Sequence, residues 1–485
     1  MGVRGALRAL GVAATHVLQI QLVFPRYPFP RPAGWGRERF NNRASMAKPS
    51  KISGFPEWLP EQKIAEDRVI GAIKRIYESY GFVPIETPAV ELLTTLGSKG
   101  VIDKEIFAVK RLRAEEGDQA ELGLHFDLTV PLARYVAQHA HELAFPFKRY
   151  QIQKVWRGDR PQKGRFREFY QFDIDIIGRS ELPLSCDAEV ISVVGLVMNE
   201  FNVGGYELRI NSRKLLAGLY EAIGLDGDAR KKAIIAVDKL LKIGPEGVAR
   251  ELGAIPGVGA EQIDKILAST RIRCKATDLA KEVAAIGVTS ELINQGVSEL
   301  QMICALLPEL VLENLVIDVS LARGLDYYTG VIVEVGLLKY PEFGTVISGG
   351  RYDDLASEFT DQRLPGVGVS IGLSRFMELL FSENLIDTSK KSPSQVLITV
   401  YAEEDRPHCN RVAQELRSCG VATEVYYKAP KLGKQIEYAE QRGMRYVLFI
   451  DSASKAVQVK DLSTKEQRSV DVLGEWARSI AGEGH

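Results

Sequence analysis

Arg157, Arg323 and Arg375 stand where a folded chain has no structural need of them. Arg157 ends an alternating segment, Arg323 directly precedes Gly-Leu-Asp-Tyr-Tyr, and Arg375 starts an apolar-periodic segment after GVGVSIGLS. A guanidinium offers a planar fork of donors that matches phosphate and carboxylate oxygens, so three such groups converging would suit phosphate transfer. Arg157 also opens RGDRPQKGRFREFYQFDID (157–175), which places Arg157, Arg160, Lys163, Arg165 and Arg167 within eleven residues. Strand periodicity at its end puts Phe172, Ile174 and Ile176 on one face and Gln171, Asp173 and Asp175 on the other. That polar face is either a half-solvated sheet surface or a recognition floor for an amine-bearing ligand. Tyr327 and Tyr328 alone fit core or edge positions as well as ligand contacts. The six histidines, His16, His125, His139, His141, His408 and His485, show no ligand spacing and no nucleophile–base pairing. Metal hydrolysis and Ser/Cys nucleophile chemistry lose their footing.

These groups need rigid elements to aim them. A first helix is expected from Pro60 to the stop at Gly81, followed by the extended PIETPAVE, whose prolines forbid helix. LHFDLTVPLARYVAQ reads as a strand ending at Asp127 or Thr129, with Pro131 in the first turn of a helix. Segments 147–157 and 169–177 alternate, which makes the cationic stretch the long loop of an antiparallel hairpin. From about 215 to 315 the periodicity is helical, indicating an insertion. Strand signals return in ARGLDYYTGVIVEV and TVISGGRYDDL, and LPGVGVSIGLSRFMELL reads as strand then helix, its glycines allowing close strand-to-helix packing. After the polar linker SENLIDTSKKSPSQ, strands and helices alternate in a separate α/β unit of about 90 residues. No P-loop or G-x-G-x-x-G occurs, so a bound nucleotide would lie in neither a P-loop nor a Rossmann crevice.

The 485 residues, 45% of them hydrophobic, suffice for two or three domains with full cores. Lys plus Arg number 62 against 63 Asp plus Glu, so a basic surface must be local. Five scattered cysteines without a C-x-x-C pair speak against zinc and against a disulfide framework. No apolar run approaches the roughly 18 residues that span a bilayer, and no membrane partner is expected. Residues 1–45 hold seven arginines, no lysine and one acid, Glu38. That composition fits an organellar transit peptide or, alternatively, a basic arm that binds nucleic acid, with Met46 as a start for a form lacking it.

Taken together and in order, FKRYQIQKVWRGDRPQKGRFREFYQFDIDIIG, ARGLDYYTGVIVEV, ISGGRYDDL and GVGVSIGLSRF resemble the histidyl-tRNA synthetase family of class II aminoacyl-tRNA synthetases. The resemblance extends from about residue 53 to 480, and RGLDYYTG is its most diagnostic part. YGFVPIETPAVE is similar to the family's dimer-interface motif, with Pro88 as its proline. The resemblance implies an α+β fold: a class II antiparallel-sheet catalytic domain at 53–390 with the helical insertion at about 215–315, then an anticodon-binding α/β domain at 394–485. It implies ATP-dependent ligation of L-histidine to tRNAHis, Mg²⁺ accompanying the ATP, a homodimer, and, with the leader, work in a mitochondrion or chloroplast. A non-catalytic synthetase-like regulatory or tRNA-sensing protein is the alternative.

By motif position the resemblance makes Arg157 and Arg323 the catalytic cations at the α-phosphate and substrate carboxylate. Arg157, Arg165 and Arg375 contact ATP, with Arg375 stacked on adenine. Asp127, Leu128, Thr129 and Gln171 belong to the segments that hold the histidine ammonium and carboxylate, and Asp175, Tyr327 and Tyr328 read its imidazole. Arg160, Gln162 and Arg167 face the tRNA acceptor end, and no metal ligand is assigned. Two positions depart from the family pattern: Asp175 stands where bacterial members often carry Glu, which implies a longer or water-mediated imidazole contact. Ser374 stands where Glu commonly precedes the motif arginine and would support Arg375.

Overall fold

The structure is a computed structural model that describes residues 49–97, 105–112, 119–201, 203–322, 328–354, 356–451, 454 and 456–481. The leader assigned to residues 1–45, and the readings placed on Arg323 and Tyr327, lie outside the described residues.

Helix α1 (Pro60–Ser79) starts on its proline and stops before Gly81, whose φ of 79° admits glycine readily. Strands β1 (Val83–Pro84) and β2 (Val90–Leu92), helix α2 (Leu93–Leu96), β3 (Ala108–Val109) and β4 (Leu122–Leu124) follow. Strand β4 ends at Leu124 rather than at Asp127 or Thr129. Leu124 lies opposite Val90, the first residue of β2, and the His125 N–H makes one further bond to the Ala89 carbonyl; beyond it the Asp127 carboxylate accepts from the Val130 N–H at 3.1 Å, which starts α3 (Thr129–His139). Strands β5 (Phe147–Trp156) and β6 (Glu168–Ile177) form the expected hairpin, in register from Phe147 opposite Ile177 to Trp156 opposite Glu168.

Helix α4 (Leu184–Glu200) and β7 (Tyr206–Ser212) lead into a run of helices: α5 (Arg213–Ala222), α6 (Gly227–Asp238), α7 (Leu240–Gly253, interrupted at Gly244), α8 (Ala260–Ser269), the short β8 (Arg273–Cys274), α9 (Ala276–Ala284), α10 (Glu291–Ala305) and α11 (Glu309–Leu312). Strands β9 (Leu315–Asp318), β10 (Val331–Leu337), β11 (Thr345–Tyr352) and β12 (Gly366–Gly372) rebuild the sheet before α12 (Leu373–Ser382). Among the described residues, nine strands lie in the order β1-β5-β6-β12-β11-β10-β7-β9-β8, and the neighbours from β5 to β7 are all antiparallel. One face of this sheet carries the main core. There the ring of Tyr77 from α1 meets Phe172 edge-on at 5.0 Å, and Ile174 and Ile176 are buried beside Val190, Ile191 and Val194 of α4.

The C-terminal residues form β13 (Val396–Ile398), α13 (Arg406–Ser418), β14 (Thr423–Val425), α14 (Leu432–Gln441), β15 (Tyr446–Ile450), β16 (Val457–Asp461), β17 (Gln467–Val470) and α15 (Leu473–Ile480). Their sheet runs β14-β13-β15-β16-β17 and is parallel at its centre. It has core clusters of its own, within the one compact unit that extends from Ile52 onward. Among the described residues no helix is long and apolar enough to cross a membrane.

Candidate active site

The opposite face of the large sheet answers the question left open by the polar side of QFDIDII. Gln171, Asp173 and Asp175 are 7%, 2% and 3% exposed, so this face is not solvated. It floors a cleft of about 520 Å³ that gathers Asp127, Thr129, Arg157, Arg165, Gln171, Asp175 and Tyr328. Asp173, Ser370, Tyr352, Glu334 and Asp238 at the end of α6 join them, so the helical insertion helps to wall the cleft.

Asp175 sits between two partners that the sequence reading did not identify. Arg149 of β5, fully buried, approaches it at 2.5 Å, and the Tyr352 hydroxyl donates to its Oδ1 at 2.7 Å. The room for this carboxyl comes from Gly368, which lies opposite Asp175 in the β6/β12 register. A Cβ there would meet Asp175 Oδ1 at 2.0 Å and the Ile174 carbonyl oxygen at 2.5 Å. Gly368 therefore serves strand-to-strand approach around a carboxyl and Gly366 makes room for the Tyr352 ring, where close strand-to-helix packing was expected. Arg149 is linked outward as well: its Nη1 donates to Gln151 Oε1 at 3.4 Å, and Gln151 Nε2 donates to Thr87 Oγ1 at 2.9 Å.

Burial sets the electrostatics. It pushes Asp173 up to about 7 and Asp175 up to about 6, with the Arg149 cation opposing it in both cases. Asp127 is raised by burial too, against the Val130 N–H and the Arg157 cation. Three buried acceptors in the cleft lack a hydrogen-bond partner: Asp127 Oδ2, Gln171 Oε1 and Asp173 Oδ1. Such atoms are costly to leave unpaired.

The cations divide into two groups. Arg157 donates from Nε to the Phe126 carbonyl at 2.9 Å and lies 5.2 Å over the Phe169 ring, so its position at the cleft wall is fixed. Arg165 also reaches the cleft wall, paired with Asp159 at 2.7 Å. Arg167 donates from Nε to the Asp159 carbonyl at 2.9 Å, while Arg160 and Gln162 are exposed on the loop, and none of these three lines the cleft. Leu128 is fully buried and does not line it, because the short turn into α3 points its side chain to the core. Arg375 also lies outside the cleft lining: it donates to the carbonyls of Gly164 at 2.8 Å and Thr345 at 2.6 Å, tying the hairpin loop to β11. Its neighbour Ser374 supports β6 instead, accepting from the Tyr170 N–H at 2.9 Å.

Sequence reasoning missed Arg149 and Tyr352. Arg149 sits among alternating residues of a strand and Tyr352 follows an arginine in a strand, so only the sheet order, which brings β5 and β11 to either side of β6 and β12, exposes their roles.

Comparison with known proteins identifies the family. The family model described as histidyl-tRNA synthetase matches residues 54–376, and the one described as anticodon binding domain matches 395–474. The histidine–tRNA ligase of Thermobifida fusca (strain YX) is 44% identical over 429 residues, 88% of this chain and 98% of that protein. That of Micrococcus luteus is 42% identical over 441 residues, 88% of this chain and 96% of that protein. The crystal structure of histidyl-tRNA synthetase from Nostoc sp. PCC 7120 superposes with a TM-score of 0.80 at 36% identity, covering 89% of this chain and 99% of that one. The chain belongs to the histidyl-tRNA synthetase family.

Proposed function

We propose that the chain ligates L-histidine to tRNAHis at the expense of ATP. The observation that carries this reading is the cleft itself, in which unpaired buried acceptors face a fixed arginine across the polar face of an antiparallel sheet. The acceptors suit an ammonium, and the arginines suit a carboxylate and phosphates. In the first step the histidine carboxylate attacks the α-phosphorus of ATP, pyrophosphate leaves, and histidyl-adenylate forms. In the second a terminal ribose hydroxyl of the tRNA attacks the activated carbonyl and AMP leaves. Arg157, with Nε tied to Phe126, holds the α-phosphate and the carboxylate in line. Arg323, by its motif position, neutralises the charge that builds on the α-phosphate. Arg165 and Arg375 meet the outer phosphates and the base, which requires both to exchange their present partners for the nucleotide. Asp175, Tyr327 and Tyr328 read the imidazole, and Arg160, Gln162 and Arg167 meet the acceptor end of the tRNA.

Mg²⁺ is expected with the ATP phosphates. Among the described residues no group of three His, Cys, Asp or Glu side chains is placed to hold a metal. Two further features belong to the same proposal. The chain works as a homodimer, supported by the exposed Val83 on the terminal strand of the large sheet and by Leu92 and Leu122 on the small one. It serves an organelle, supported by the arginine-rich, acid-poor residues 1–45. Histidine-dependent exchange of pyrophosphate into ATP tests the activity directly, and a folded protein without it would sink the reading. In Arg323→Ala, slow adenylate formation with near-normal transfer from preformed histidyl-adenylate is expected; normal adenylation would remove Arg323 from the mechanism.

A further inference from the structure

Reading the cleft as a histidine site gives tasks to Asp127, Thr129, Gln171 and Asp175 and none to Asp173, although Asp173 stands on the same face of β6 between the last two. A carboxyl is removed from water only where something compensates it. The protein supplies Asp173 with little. The buried cation beside it, Arg149, lies 2.5 Å from Asp175, and Asp127 and Asp175 add negative charge nearby. The Ser370 hydroxyl on β12 bonds Asp173, and Oδ1 is left without a partner. Burial accordingly pushes the group up to about 7.

Ser370 connects Asp173 to Gln171. A hydroxyl has one proton, and giving it to Asp173 leaves only acceptor capacity for a second neighbour. Gln171 Nε2 donates to Ser370 Oγ at 2.6 Å, which fixes the amide's orientation and leaves its Oε1 unpaired. Asp127 Oδ2 is unpaired on the other side of the cleft floor. Three acceptors without a donor face one cleft, and an ammonium has three N–H donors. A metal ion does not fit, since no three of these carboxyls are grouped closely enough to ligate one.

We propose that Asp173 is a substrate-binding residue whose Oδ1 takes the α-ammonium of the amino acid together with Asp127 Oδ2 and Gln171 Oε1, while its bond to Ser370 keeps Gln171 in the accepting orientation. This rests on the histidine reading of the cleft and makes a free α-amino group an energetic requirement for entry.

The test uses the full chain, Asp173→Asn and three probes measured by calorimetry. Histidine carries both ends, histidinol keeps the ammonium but lacks the carboxylate, and imidazolepropionate lacks the ammonium. Asp173→Asn should weaken histidine and histidinol by about 10- to 100-fold, the scale of one charge-assisted hydrogen bond, and leave imidazolepropionate unchanged. In pyrophosphate exchange the KM for histidine should rise while the KM for ATP stays put. Equal weakening of all three probes would mark Asp173 as structural, and unchanged histidine binding would remove it from the site. Either result overturns the proposal. If Asp173→Asn does not fold, Ser370→Ala carries the test: preferential loss of histidine and histidinol supports the proposal, and equal loss for the three probes overturns it. Wild-type protein that binds no probe would overturn the histidine reading itself, an outcome distinct from any produced by the variants alone.

Discussion

Replacing Arg149 with methionine should destabilise the protein in a way that depends on pH. Arg149 is fully buried, and its guanidinium lies 2.5 Å from Asp175. Methionine keeps much of the volume and removes the charge. Removing one partner of a buried pair costs about 3–5 kcal/mol, because the other charge stays behind uncompensated. Set against a total of about 5–15 kcal/mol for a domain, that is a large share. Asp175 can escape part of the cost by taking a proton. Arg149 is the largest influence holding both Asp173 and Asp175 down, yet they already titrate near 7 and 6. Without it both rise further. A carboxyl whose folded value lies above its unfolded one contributes stability below the unfolded value and loses it as pH climbs through the folded value. The window in the variant therefore extends above neutrality, and the variant should fall behind wild type by up to about 1.4 kcal/mol per pH unit per group between the wild-type folded value and its own. Urea midpoints at pH 5.5 and 8.5 measure this: a modest gap at the lower pH and a wide one at the higher are expected. Arg149→Met combined with Asp175→Asn should recover much of the loss at pH 8.5, since the stranded charge is gone. A deficit independent of pH, or a double variant as weak as the two losses added, would refute the reasoning.

Four further outcomes are expected. Gly368→Ala should abolish histidine-dependent exchange while leaving a folded protein, because the added Cβ at 2.0 Å displaces the Asp175 carboxyl; near-normal KM for histidine would contradict this. Unliganded wild type should lose stability as pH rises from about 4 to 7 through the raised Asp173 and Asp175, and saturating histidine should flatten that slope, both read from melting temperatures. Ser374→Ala should cost about 1–3 kcal/mol in urea unfolding by leaving the Tyr170 N–H unpaired, with no defect specific to ATP binding. A chain starting at Met46 should aminoacylate normally yet fail to enter an organelle, which fractionation of a fluorescent fusion would reveal.

The hairpin, the first helix and the strand-then-helix segment at 364–380 were legible in sequence because each is a local pattern. Alternation, a proline start and a glycine stop need no knowledge of neighbours. What stayed hidden was set by contacts across the sheet. The polar side of QFDIDII gives the same period-2 signal whether water or a cleft covers it, and only the fold shows it buried. Arg149 and Tyr352 reach Asp175 from strands distant in sequence, which no spacing rule encodes. The end of β4 was misread because the strand stops opposite Val90, where its partner β2 begins, and that limit is set by a segment distant in sequence. Motif position located Arg157 and Arg165 at the cleft, but could not tell that Arg375 is held by the carbonyls of Gly164 and Thr345.

The missing side chain at Gly368 also constrains how this pocket can change over generations. Asp175 fits because Gly368 on β12 puts no side chain against it, and Arg149, opposite it on β5, already touches its carboxyl. A step to Glu at 175 lengthens the carboxyl against a neighbour already in contact, a step away from Gly at 368 collides with it, and loss of Arg149 strands its charge. Each single change is harmful by itself, so the three positions should drift only as a set. A Glu at 175 would then be reached across a fitness valley rather than by a single tolerated substitution.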